Sequence, residues 1–120
     1  PIEFELNEGK NSIAILDISK QSKKRCRCNN ISDLTAYFIE NQKKIYKNFQ
    51  YDIVKAKHPI YDRYNFIIYK RKFLSGERTV LNALIFREDF YYKIRFTASN
   101  KQYKRYATDV VKMIHSFKIK

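Results

Sequence analysis

Thr79-Val80-Leu81-Asn82-Ala83-Leu84-Ile85-Phe86 and, three residues later, Phe90-Tyr91-Tyr92-Lys93-Ile94-Arg95-Phe96-Thr97-Ala98 decide the fold. The first stretch is apolar on both alternating sets, Val80/Leu84/Phe86 and Leu81/Ala83/Ile85, so it predicts a strand covered on both sides. In the second, Phe90, Tyr92, Ile94 and Phe96 share one face. A connection as short as Arg87-Glu88-Asp89 forces the two strands to run antiparallel. Ser99 and Gln102 have the spacing of a capping box, which predicts that a helix starts there. Its apolar stripe is Tyr103, Tyr106, Ala107, Val110, Ile114 and Phe117, with Lys101, Lys104, Arg105 and Lys112 on the other side and Phe117 expected to be buried.

Working back towards the N-terminus, Tyr61 to Phe73 has aromatic and β-branched residues on both sets, and Ser75-Gly76-Glu77 makes its turn. Tyr51 to Lys57 is a short strand stopped by His58-Pro59, because the residue before proline is pushed to extended geometry. A helix precedes it, capped by Ser32 or Asp33. Its stripe is Leu34, Phe38, Ile45 and Phe49, widened by Tyr37, and its end is expected near Asn48. Ser19 to Asn30 is polar, basic and without periodicity, and reads as a loop. Ile2/Phe4/Leu6 and Ile13 to Ile18 form a hairpin around Asn7-Glu8-Gly9-Lys10-Asn11. The expected fold is α/β of the α+β kind: a mainly antiparallel sheet of about six strands sandwiched between two helices, in the order β-β-α-β-β-β-β-α.

At 120 residues the chain makes one domain, residues 1–120, and 44% hydrophobic residues exclude a charge-driven disordered chain. Two Gly and two Pro exclude collagen-like and low-complexity classes. No apolar run is long enough to predict a membrane span. Lys and Arg outnumber Asp and Glu by 25 to 12, a net charge of +13. Of those 25, 17 are Lys, whereas bidentate phosphate and base recognition favours Arg. Lys, Ile, Asn, Tyr and Phe make up half of the chain, so the codon bias of an AT-rich genome accounts for much of the surplus. A solvated basic surface is therefore favoured over a nucleic-acid partner. If the charge does make a contact surface, its candidate residues are Lys23, Lys24, Arg25, Arg27, Lys70, Arg71, Lys72, Lys101, Lys104 and Arg105.

The residues form no catalytic pattern: there is no Gly-rich phosphate loop, nucleophile elbow or H-E-x-x-H. Asp52, Asp62, Glu88 and Asp89 fall at strand ends and turns. His58 lies in a turn, and His115 is read onto the polar side of the last helix. Cys26 and Cys28 are too few for a disulfide scaffold, and a ring closing residues two apart would be strained. With His58 and His115 they would supply four zinc ligands, but the histidines are not a closely spaced couple, so no metal or cofactor is expected. Incidental thiols in an exposed loop are the favoured reading. Tyr91, Lys93 and Arg95 alternate on one strand face and Tyr69-Lys70-Arg71-Lys72 ends another, as base-stacking sheets do. The alternative, favoured here, is tyrosines packed under a helix with basic stems reaching outward.

The run Phe90 to Ala98, then Tyr103 and Tyr106, then Val110 and Met113-Ile114-His115-Ser116-Phe117-Lys118-Ile119 resembles the C-terminal end of PsbP-like domains. In that superfamily a final strand leads into a helix with paired aromatics that closes on Ser-Phe and an aliphatic residue. It includes DcrB-type bacterial proteins, chaperones of type VI secretion effectors and a Ran-binding nuclear import factor. The resemblance implies a non-enzymatic domain that binds other proteins or joins an envelope assembly, with no catalytic residues to carry over. The superfamily's N-terminal segment bears a Trp, and this chain has none, so its start at Pro1 is read as the loss of that segment or of a leader. The expectation is an extracytoplasmic or envelope-associated accessory domain of a low-GC bacterium. A nucleic-acid-binding module and a cytosolic effector chaperone are the alternatives.

Overall fold

The computed structural model describes residues 2–7, 13–54, 59–60, 64–73 and 76–118. It is an α+β fold built on one antiparallel sheet and two helices. The strands are β1 (Ile2–Asn7), β2 (Ile13–Ser22), β3 (Tyr51–Val54), β4 (Tyr64–Phe73), β5 (Gly76–Phe86) and β6 (Phe90–Ser99). The helices are α1 (Ile31–Ile45), between β2 and β3, and α2 (Asn100–Ser116), after β6. Across the sheet the order is β1-β2-β6-β5-β4-β3, so β2 pairs with a strand far along the chain, Leu16 opposite Phe96.

The two faces follow from strand alternation. On one, Ala14, Leu16, Tyr64, Phe66, Leu81, Ala83, Ile85, Ile94, Phe96 and Ala98 form a continuous apolar layer, closed by Val110 and Ile114 of α2. On the other, Ile67, Tyr69, Val80, Leu84 and Phe86 pack against Leu34, Phe38 and Ile39 of α1 and against Cys28. β5 lies in the middle of both layers, and every residue from Thr79 to Phe86 is buried. α2 begins at the expected cap: the Ser99 hydroxyl accepts from the Gln102 N–H at 3.3 Å, and the Gln102 side chain folds back to accept from that hydroxyl at 3.2 Å.

Several expectations are corrected. The Ser19–Asn30 loop starts later, because β2 runs on to Ser22 alongside Phe90–Lys93. A short 3-10 helix, Lys23–Arg25, follows and is anchored by the Lys23 N–H donating to the Asp89 carbonyl at 3.1 Å. The cap of α1 is Asn30, whose Oδ1 accepts from the Asp33 N–H at 2.8 Å, so Asp33 sits in the first turn. α1 ends at Ile45, which is 66% exposed, because its inward stripe is Leu34, Thr35, Phe38 and Ile39. Phe117 is half-buried against Tyr92 and lies past the end of α2. His115 turns inward, its ring 6.4 Å from those of both Tyr64 and Phe66. Cys26 and Cys28 are joined by a disulfide, and Cys28 is a core residue beneath α1. The second half of the Tyr51–Lys57 strand, the Tyr61–Arg63 start of the next, His58, Ser75 and Ile119 lie outside the described residues.

Candidate functional site

The chain leaves α1 sharply. Tyr46 is the extended C-cap, and Asn48 adopts φ 55°, the left-handed region that Asn tolerates better than most residues. Three residues later the chain enters β3 at Tyr51. The run Ile45–Asp52 thereby forms one wall of a cleft of about 830 Å³; Ile68, Tyr69, Lys70 and Arg71 of β4 with Glu77 and Thr79 of β5 form the other.

Aromatic rings organise this cleft. Phe49 stacks on Tyr51 at 5.4 Å and on Tyr46 at 6.5 Å, and Tyr69 meets Phe49 edge-on at 5.0 Å. The Arg71 guanidinium lies 4.5 Å from the centre of the Tyr46 ring, a cation–π distance. These rings spend their faces on one another and on Arg71, so they make a stiff wall rather than open platforms for bases. Behind the wall, the Tyr69 hydroxyl accepts from Asn82 Nδ2 at 3.1 Å, and burial pushes the Tyr69 phenol above its usual pKa. Lys47, Lys70, Asp52 and Glu77 are exposed at the rim. Lys70 and Glu77 approach to 4.0 Å, an exposed pair of the kind that contributes ~0–1 kcal/mol.

The cleft follows the edge of the sheet. The register of β3 on β4 begins at Tyr51 opposite Tyr69, yet β4 continues to Phe73 and pairs with β5 over that whole length, down to Phe73 opposite Gly76. Among the described residues no strand lies beside β4 on its outer side beyond Tyr69. Tyr69 and Arg71 belong to the α1 face of β4, Ile68 and Lys70 to the α2 face. A cavity lined by both sets lies along the strand's edge.

A second polar region occupies the α1 face where α1 does not reach. Asp17 of β2 is buried and accepts from both Nε and Nη2 of Arg95 on β6, each at 2.9 Å. Lys93 is nearby, its pKa lowered by burial first and by Arg95 second. Tyr91 packs half-buried against the layer under α1, and Arg95 of the same row is held by its ion pair with Asp17.

The ten candidate basic residues fall in two groups. Lys23, Lys24, Arg25 and Arg27 lie at one end of the sheet, beside the β5–β6 turn. Lys70 and Arg71 lie at the opposite end with the start of α2, where Lys101, Lys104 and Arg105 are exposed; Thr79 Oγ1 donates to Asn100 Oδ1 at 2.7 Å and ties these elements together. The backbone of Lys72 belongs to β4, and its side chain lies outside the described set. Of the carboxylates, Asp52 reaches the cleft rim, Glu88 and Asp89 are exposed at the β5–β6 turn, and Asp62 lies outside the described residues. Among the described residues no cluster of His, Cys, Asp and Glu could hold a metal ion, and no helix is long and apolar enough to cross a membrane. The sequence reading missed Tyr46, Phe49 and Tyr51 as a unit. The available signal was Asn48 directly after a helical run, flanked by aromatics.

No family model matches the chain, and no curated protein does. Among solved structures it is similar to the crystal structure of PA94, a protein of unknown function from Pseudomonas aeruginosa. The two share 12% identity at a TM-score of 0.82, over 99% of this chain and 82% of that one. At that identity the likeness is one of fold.

Proposed function

We propose that this chain is a non-enzymatic, protein-binding or accessory domain of PsbP-like type, acting in an extracytoplasmic or envelope-associated bacterial protein. The observation that supports it best is the combination of a stiff aromatic cleft with the outer edge of β4, a shape suited to a polypeptide. The helix–sheet–helix layering with α2 as the last element accords with the C-terminal resemblance. The Cys26–Cys28 disulfide accords with an oxidising compartment. The described candidate basic residues divide between two ends of the sheet rather than forming one track, which supports protein over nucleic acid.

The test is fractionation of the native host with thiol trapping, followed by isolation of the tagged protein under cross-linking. The expected result is a discrete protein partner in the envelope or exported fraction, with Cys26 and Cys28 blocked. Recovery in the cytoplasm with both thiols free would overturn the location. Sub-micromolar, strand-selective nucleic-acid binding at about 150 mM salt would overturn the protein-binding reading. Turnover of a small molecule, lost on changing Asp52 or His115, would overturn the non-enzymatic one.

A further inference from the structure

We infer that the partner of this cleft is an acidic, extended polypeptide segment that adds as a strand to the outer edge of β4 over Lys70–Phe73, continuing the line of β3. The inference rests on the protein-binding reading and names the chemistry of that same site.

Three observations carry it. First, β4 outruns β3: their pairing begins at Tyr51 opposite Tyr69, and β4 has four further residues held straight by β5. Along such an edge every second residue directs its N–H and C=O outward, a template for one more strand. Second, the cleft has the right position and shape. It is lined from both faces of β4 and bounded by Ile45–Asp52, whose Tyr46 and Phe49 rings touch Arg71 and Tyr69 on the α1 side, so an added strand would lie along the β4 edge beneath those contacts. Alternate side chains of the added strand would then fall to the Tyr46/Phe49/Arg71 side and to the Lys70/Thr79 side. Four residues at about 3.3 Å each span roughly 13 Å, which sets the recognised core at four or five residues.

Third, charge selects the occupant. The chain carries +13. Lys70 and Arg71 line the cleft on the β4 side, with Lys47 on the opposite wall. A second copy pairing through this edge would set that basic run against itself, and like charges directly opposed across strands are destabilising. A segment with Glu or Asp on one alternating set is favoured instead. With Asp52 and Glu77 at the rim, that acidic set is confined to the Lys70 position.

The probe is an eight-residue blocked peptide of alternating glutamate and tyrosine, titrated into the whole ¹⁵N-labelled protein. Binding should perturb the amides of Lys70–Phe73 and Tyr46–Tyr51 and slow hydrogen exchange at alternate amides of Lys70–Phe73. N-methylation of alternate peptide nitrogens removes the donors without changing charge, and should weaken binding by about tenfold or more. Lys70→Glu should weaken it by a similar factor, while Lys24→Glu should leave it unchanged. Equal binding of the N-methylated peptide, equal binding of a lysine–tyrosine version, or no binding at all would overturn strand addition by an acidic segment. So would oligothymidylate displacing the peptide and perturbing the same amides. If the peptide fails while a native protein partner still cross-links at the cleft, this inference falls and the protein-binding reading stands. Absence of both removes the two together.

Discussion

The two faces of the sheet are finished differently. The α2 face is a single apolar layer reaching from Ala14 on β2 to Tyr64 on β4, closed by Val110 and Ile114. The α1 face is apolar only over β4 and β5; over β2 and β6 it carries Asp17, Lys93 and Arg95, and where α1 stops it opens into the cleft. Folding free energy should therefore lean to the α2 side, whose apolar layer spans four strands. The α1 side carries a partly desolvated lysine, Lys93, and an exposed Ile45 at the end of its helix. The cleft itself lies along the β4 edge, lined by Tyr69 and Arg71 of the α1 face and by Ile68 and Lys70 of the α2 face.

The comparison breaks most visibly at Ile114, which is 1% exposed. Ile114→Ala should cost ~2–5 kcal/mol in denaturant melts, whereas Ile45→Ala should fall within about 0.5 kcal/mol of the parent. Equal losses would mean that the α2 face is not the principal core. Next in size is Asp17→Ala, which leaves the Arg95 guanidinium on a half-covered face without its carboxylate. An expected loss of about 1–3 kcal/mol, discounted because Arg95 remains partly in water, checks whether that strip is structural. Gly76 holds φ +117°, which L side chains rarely adopt, although a Cβ there would meet no atom within 4 Å. Gly76→Ala should therefore cost ~1 kcal/mol through the backbone alone and leave the core packing visible by NMR unaltered.

The smallest effect is a pH dependence. Lys93 has a folded pKa below the ordinary 10.5, so the native state releases that proton before the unfolded chain does. Its contribution is unfavourable at neutral pH and is relieved as pH rises through the lowered value towards 10.5. Lys93→Met should raise the Tm slightly at pH 7 and remove that part of the alkaline gain. A lower Tm would show that the ammonium is held favourably.

How much of this was legible follows the range of the interactions involved. β5 was readable because both of its alternating sets are apolar, and α2 because Ser99 and Gln102 sit three apart at its start. Short-range signals of this kind live in a few residues. The extension of β2 through Ser19–Ser22 was not readable, since those residues are polar and are ordered by pairing with Phe90–Lys93 far along the chain. Phe49 was assigned to the helical stripe by spacing alone. The helix ends at Ile45, and the extended Tyr46 and left-handed Asn48 lead the chain so that Phe49 stacks between Tyr46 and Tyr51 in the cleft wall. The basic residues were readable as a list but not as a surface, because α2 and β4 bring five of the described ones to one end while Lys23–Arg27 stay at the other.

The central claim, that the open corner beside β3 and β4 receives a polypeptide, is tested most directly by a photo-crosslinking amino acid placed in the native host at position 52, on the cleft rim, and in a second strain at position 105, on the exposed side of α2. The account predicts a discrete protein adduct from position 52 and none from position 105. Equal labelling from both positions, or adducts to nucleic acid alone, would contradict it.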